Sequence, residues 1–183
     1  MATQTGYRLT HERIATPFGA MTLVSDAEGE LRALALPGRE DGMRRSLNRH
    51  YGSDRSEEGR VPAEISGALS DYFDGDLQAL RRIRWKTGGT EFQRRVWNAL
   101  WEIPVGETTS YGALAVKLGN PGAMRAVGMA NGANPIAIVV PCHRVIGSDG
   151  SLTGFGGGLP LKVKLLRHEG ANVPALGTSD LFG

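Results

Sequence analysis

The chain has 183 residues, 40% of them hydrophobic, enough for one large domain or two small ones with cores of their own. A single cysteine excludes an intramolecular disulfide and a cysteine-rich zinc site, and the four histidines lack metal-ligand spacing, so neither metal nor cofactor is expected. The net charge of +2 does not by itself imply a nucleic-acid partner.

Residues 1–86 carry 13 basic and 13 acidic side chains, against 8 and 5 in residues 87–170, so any bias toward a polyanion lies in the second half. Met1 to Gly6 lacks the basic stretch and apolar run of a signal peptide, and no segment approaches the roughly 20 apolar residues of a membrane span. A cytoplasmic protein with no membrane partner is expected.

From the N-terminus, strands are expected at Tyr7 to Ala15, Ala20 to Ser25 and Leu31 to Leu36, broken by Thr16-Pro17-Phe18-Gly19 and by Asp26 to Gly29. Helices are expected at about Glu40 to Tyr51 and Pro62 to Phe73, the second with Ile65, Leu69, Tyr72 and Phe73 on one side, and Gly52 to Arg60 reads as a loop. Nothing in residues 1–75 looks catalytic, so a scaffold is the default. Residues 75–89 lack periodicity and end in Thr87-Gly88-Gly89-Thr90, which puts the domain boundary there: 1–86 with its linker, then 87–183.

Thr90 can cap a helix whose buried stripe is Phe92, Val96, Ala99 and Leu100, ending before Pro104. Ser110 can cap a short helix through Leu118, which Gly119 stops, and Asn120-Pro121 starts another to about residue 131. Two short helices about a glycine turn suit a helix-turn-helix, although the spacing alone fits an ordinary helical hairpin better. Gly122, Ala123, Ala126, Gly128, Ala130 and Gly132 give the second helix low relief, with Arg125 its one charge. Such a face could pack on a neighbouring helix or enter a DNA minor groove, where bulk would clash.

The apolar, β-branched run Ile136 to Val140 reads as a buried strand-like segment delivering Pro141-Cys142-His143-Arg144. A lone cysteine after such a run is more often an inert core residue. Proline before it, histidine and arginine after it, and flanking glycine loops mark Cys142 as a candidate nucleophile. A thiol is mostly protonated at neutral pH and needs a base; His143 could serve through one water, with Glu169, at the end of a Leu161 to His168 helix, fixing its tautomer. The Thr153 to Gly158 loop lacks the P-loop lysine and suits a pocket wall, with Phe155 a flat face for a planar ring. The triad alone would also permit a cysteine hydrolase, and the helix pair alone a non-catalytic DNA-binding regulator.

Taken together, Asn134-Pro135, Ile138-Val-Val-Pro-Cys-His-Arg-Val-Ile-Gly147, Ser110-Tyr111-Gly112, Arg125-Ala126-Val127-Gly128, Thr153 to Gly158 and His168-Glu169-Gly170 resemble the O6-alkylguanine-DNA alkyltransferases of the bacterial single-polypeptide type. Ala15 to Gly19 and Asp71-Tyr72-Phe73 match more loosely. The resemblance implies an α/β (α+β) fold: a small antiparallel sheet with helices, then a mostly helical domain with a winged-helix-like helix-turn-helix. It implies a suicidal repair protein that takes the alkyl group of O6-alkylguanine onto Cys142, with His143, a water and Glu169 generating the thiolate. By the same resemblance Asn134 braces a hinge, Tyr111 donates to guanine N3, Arg125 fills the stack left by the flipped base, Val145 with the Cys142 backbone reads the exocyclic amine, and the Gly156 N–H contacts the alkylated oxygen. Ala123, Met124, Ala126 and Gly128 would face the minor groove of double-stranded DNA, with no obligatory protein partner. The chain departs from the family in Met124, often alanine there; in Phe155, commonly tyrosine; and in lacking the zinc-binding cysteines of some relatives.

Overall fold

The computed structural model describes residues 7–52 and 55–173, so the Met1 to Gly6 segment read above for a signal peptide lies outside the described residues. By its internal contacts the chain divides into two compact units, Met1–Gly89 and Thr90–Gly183. No helix among the described residues is long and apolar enough to cross a membrane.

In the first unit β1 (Leu9–Ile14), β2 (Met21–Asp26) and β3 (Leu31–Ala35) form antiparallel hairpins, followed by α1 (Glu40–Tyr51), β4 (Glu57–Glu58) and α2 (Ala63–Phe73). The sheet order is β3-β2-β1-β4. β4 pairs parallel to β1, so the sheet is mixed rather than antiparallel, and part of the expected Gly52 to Arg60 loop is an edge strand. Two glutamates carry no strand pattern; backbone pairing beside β1 makes the strand. The β2–β3 turn is built on Asp26, whose carboxylate accepts from the N–H groups of Glu28 and Glu30 and pairs with buried Arg32 at 2.6 Å. The Arg32 guanidinium also stands 5.3 and 5.4 Å from the Tyr7 and Tyr51 ring centroids. Leu9, Val24, Ala33 and Leu47 form a buried cluster against which Met43 and Tyr51 pack, so α1 lies on the sheet.

The second unit begins with α3 (Glu91–Trp101), closed at its N-terminus by a reciprocal capping box between Thr90 and Gln93. Val96, Trp97, Ala99 and Leu100 are its buried stripe, and Phe92 is half-buried. After β5 (Thr109–Ser110), the Ser110 hydroxyl accepts from Ala113 N and starts α4 (Tyr111–Lys117), which ends at left-handed Gly119. Pro121–Ala123 is a tighter 3-10 turn rather than α-helix, and Asn120 makes no side-chain cap. α5 (Met124–Gly132) follows, anchored by Trp97 Nε1 donating to Ala130 O at 2.8 Å. β6 (Val145–Ile146) pairs parallel with β5, so the element beside the helix pair is a two-residue ladder, and α6 (Leu159–His168) closes the unit.

Candidate active site

Ile136 to Val140 is fully buried, as its composition requires, but it is a turn and not a strand. Val140 N bonds back to Ile136 O at 2.9 Å, and Ile138 takes φ +70°. A β-branched residue there costs about 1–3 kcal/mol and persists only where its surroundings over-determine it. Asn134 is the clamp: its Nδ2 donates to Val140 O at 2.8 Å and its Oδ1 accepts from Ile136 N at 3.0 Å. The turn delivers Cys142 at the start of a 3-10 turn, Cys142–Arg144, with the residue only 7% exposed. Burial pushes the thiol pKa up, a hydrogen bond from Asn134 and the charge of Lys162 only partly offsetting it.

His143 and Glu169 are both buried, with His143 Nε2 3.0 Å from Glu169 Oε1. An ionised carboxylate only accepts, so Nε2 carries the ring proton and Nδ1 is left as a base. Nδ1 is buried and has no hydrogen-bond partner. Burial lowers the His143 pKa against the opposing pull of Glu169, which favours the neutral imidazole. Burial alone would raise the Glu169 carboxyl, but the charges and hydrogen bonds of His143 and Arg144 outweigh it and hold it well below the usual carboxylate range.

Arg144 was not among the expected site residues. Its Nε donates to Glu169 Oε2 and its Nη2 to Oε1, both at 2.8 Å, while Nη1 donates to Ile103 O. Glu169 is therefore shared between a histidine and a buried two-pronged arginine. Lys162 is a second omission. Fully buried on α6, it donates to Val145 O at 2.6 Å and Thr153 O at 2.8 Å, tying the glycine loop to the cysteine segment, and burial brings its pKa down to about 8. The signal was available: Lys162, Leu166 and Glu169 fall at i, i+4, i+7, one helical face. At Gly106, φ is +81° and a Cβ would stand 3.1 Å from Glu169 O, so the loop before β5 can approach the carboxylate's backbone only as glycine.

Asn134, Cys142, His143, Val145 and Glu169 thus gather around one buried centre, with the Val145 carbonyl already accepting from Lys162. Tyr111, the first residue of α4, has its Oη 3.2 Å from Thr153 Oγ1, and its ring lies over Gly128, where a Cβ would stand 3.8 Å away. Met124, Arg125 and Ala126 are exposed on α5 and Ala123 is half-buried before it; Met124, 55% exposed, does not turn inward. Phe155 is half-buried and Gly156 exposed in the glycine loop.

A buried thiol followed by an imidazole that is backed by a carboxylate is an arrangement suited to a nucleophilic cysteine, here carried beside a pair of short helices. The profile of the 6-O-methylguanine DNA methyltransferase DNA-binding domain matches residues 91–171. The methylated-DNA–protein-cysteine methyltransferase of Salmonella typhimurium is 52% identical over 165 residues, covering 89% of this chain and 96% of that protein. The crystal structure of Mycobacterium tuberculosis OGT in complex with DNA aligns at TM-score 0.74 and 38% identity, covering 95% of this chain and 99% of that one. The O6-methylguanine-DNA methyltransferase from Pyrococcus kodakaraensis aligns at TM-score 0.65 and 27% identity, covering 89% and 99%. The chain belongs to the methylated-DNA–protein-cysteine methyltransferase family.

Proposed function

We propose that this chain repairs DNA by moving the alkyl group of O6-alkylguanine onto its own Cys142, once per molecule. The observation that carries the mechanism is the His143 ring, buried, with Nε2 held by Glu169 and Nδ1 unpartnered. The thiol proton passes through one water to Nδ1, and Glu169 stabilises the imidazolium. The thiolate then attacks the alkyl carbon: an S–C bond forms, the C–O6 bond breaks, and its electron pair leaves with guanine. Thr153 Oγ1 donates to Tyr111 Oη, which frees the phenol proton for guanine N3 as charge develops there. The product thioether has no leaving group that any residue here can activate, so the protein is consumed.

A base inside a duplex hides its O6 substituent, so the nucleotide is extruded into the pocket. α5, whose exposed side chains are small apart from Met124, Arg125 and Met129, enters the minor groove, Arg125 fills the vacated stack, and the helices of the second unit supply DNA contact while the first unit is a scaffold. Ala123, Met124, Ala126 and Gly128 face the groove, Phe155 stacks on the flipped base, Gly156 N–H contacts its alkylated oxygen, and Val145 O with the Cys142 backbone reads the exocyclic amine. The reducing cytoplasm keeps the single thiol available, and no protein partner is required. Intact-mass and peptide analysis after incubation with excess O6-methylguanine duplex tests this: one methyl per chain, on Cys142, followed by arrest. Sustained turnover, or methyl on another residue, overturns it.

A further inference from the structure

Among the described residues four large hydrophobic side chains are exposed, and three lie on the helix pair: Val116 at 61%, Met124 at 55% and Met129 at 73%. Met129 is the most exposed, and its place on α5 is specific. Val127, Ala130 and Asn131 are the buried face of this helix. At 100° per residue, Arg125, Met129 and Gly132 form the crest opposite them. Arg125 and Met129 stand one turn apart on that crest, both exposed, with only small residues beside them: Ala126, Gly128 and Gly132. The remaining crest atoms cannot shield a thioether from water, and exposing one costs burial that a core position would have gained.

We propose that Met129 is a second groove-entering residue of this chain, an apolar wedge that packs against the sugar walls and base edges of the minor groove one helical turn from Arg125. The inference rests on the reading of α5 as the DNA-facing helix. Four residues of α-helix advance about 6 Å, close to two base-pair steps from the position Arg125 would fill. Methionine is the long side chain that suits this place: unbranched, with three rotatable bonds, it is thin enough for a groove about 6 Å wide and is among the side chains that wedge base steps apart. Its contribution is apolar, so it differs in kind from that of Arg125. It adds to duplex affinity by nearly the same factor at every salt concentration, whereas the Arg125 contribution shrinks as salt rises. It also leaves the chemistry at Cys142 untouched.

The test compares wild type, Met129→Ala, Met129→Leu and Arg125→Ala on the full chain. Duplex affinity is measured across a salt series, methyl transfer from duplex and from free O6-methylguanine base by mass spectrometry, and thermal melting for each variant. Met129→Ala should weaken duplex binding about five- to tenfold with the salt slope unchanged. It should slow duplex repair at limiting protein by a similar factor, leave the free-base reaction unchanged, and melt with wild type, because alanine is the better helix former at an exposed site. Met129→Leu should recover most of the loss, and Arg125→Ala should instead reduce the salt slope. Unchanged duplex affinity in Met129→Ala, an equal loss on duplex and free base, or a self-association of the wild type that Met129→Ala abolishes overturns the inference. A wild type that methylates Cys142 while Met129→Ala matches it on duplex sinks the wedge alone. A wild type that neither binds duplex nor accepts methyl sinks the functional reading beneath it.

Discussion

At the scale of single residues, the site turns on how Glu169 divides its two oxygens. Oε1 takes His143 and one arm of Arg144, and Oε2 takes the other arm, all at 2.8–3.0 Å and out of water. Removing the charge therefore acts twice. Glu169→Gln should slow methyl transfer and move its pH profile upward, because a neutral amide stabilises the His143 imidazolium less and thiolate forms only at higher pH. It should also cost about 3–5 kcal/mol of stability by leaving Arg144 buried without its counter-charge. A transfer time course against pH, beside a denaturant titration, separates the two effects. An unchanged profile in a destabilised protein would leave Glu169 only the structural half. Adjacent residues His143 and Arg144 converge on a carboxylate 26 and 25 positions away, and that convergence is not written in the tetrapeptide Pro-Cys-His-Arg. Its composition marks the cysteine; the fold decides who holds the glutamate.

At the scale of elements, local signals succeeded wherever the chain could satisfy its own backbone. Thr90 and Ser110 cap α3 and α4 through hydroxyls that accept the N–H three residues on, and Gly119 ends α4 because a left-handed residue is needed there. Ser110→Ala should cost about 1 kcal/mol, read as a lower denaturant midpoint with unchanged slope; a midpoint equal to wild type would mean tertiary packing alone sets the start of α4. Local signals failed at Ile136 to Val140. Five apolar, mostly β-branched residues read as a strand, but Val140 N turns back to Ile136 O, and Asn134 supplies the partners that hold the segment in a turn. Asn134→Ala should leave Ile136 N without its partner, worth about 1–3 kcal/mol if left unmet, while Val140 O keeps the Cys142 N–H, and should relax the left-handed Ile138. Amide hydrogen exchange at Ile136 is the readout, with faster exchange expected and wild-type protection counting against the clamp.

At the scale of the whole molecule, buried ionisable groups should write themselves into the pH dependence of stability. Lys162 drops from 10.5 to about 8 in the folded chain, so between those values the unfolded state binds more protons and stability rises with pH. Lys162→Met should lower stability overall, since two carbonyls lose a donor, and should flatten that rise; a slope that survives the substitution would assign it to another group. On the acid side the sign follows Glu169. Its folded pKa is depressed, so its contribution is complete above the ordinary carboxylate pKa of 4.5 and fades as pH falls below it. Urea midpoints across both ranges check the two arms.

The sequence by itself determined what depends on neighbours along the chain. Composition marked Cys142 and its loops, spacing placed α1 to α6 to within a few residues, and the ordered blocks from Ser110 to Gly170 carried the family resemblance. Caps, glycine stops and periodic stripes are local physics, and one chain suffices to read them. Only the tertiary structure decided what depends on residues far apart: β4 as a parallel edge strand, the turn under Asn134, Arg144 sharing Glu169, and a fully buried Lys162 spanning Val145 and Thr153. Each of these satisfies a polar group with a partner several to dozens of positions away. Burial makes such a partner obligatory, and only the fold says which one is in reach.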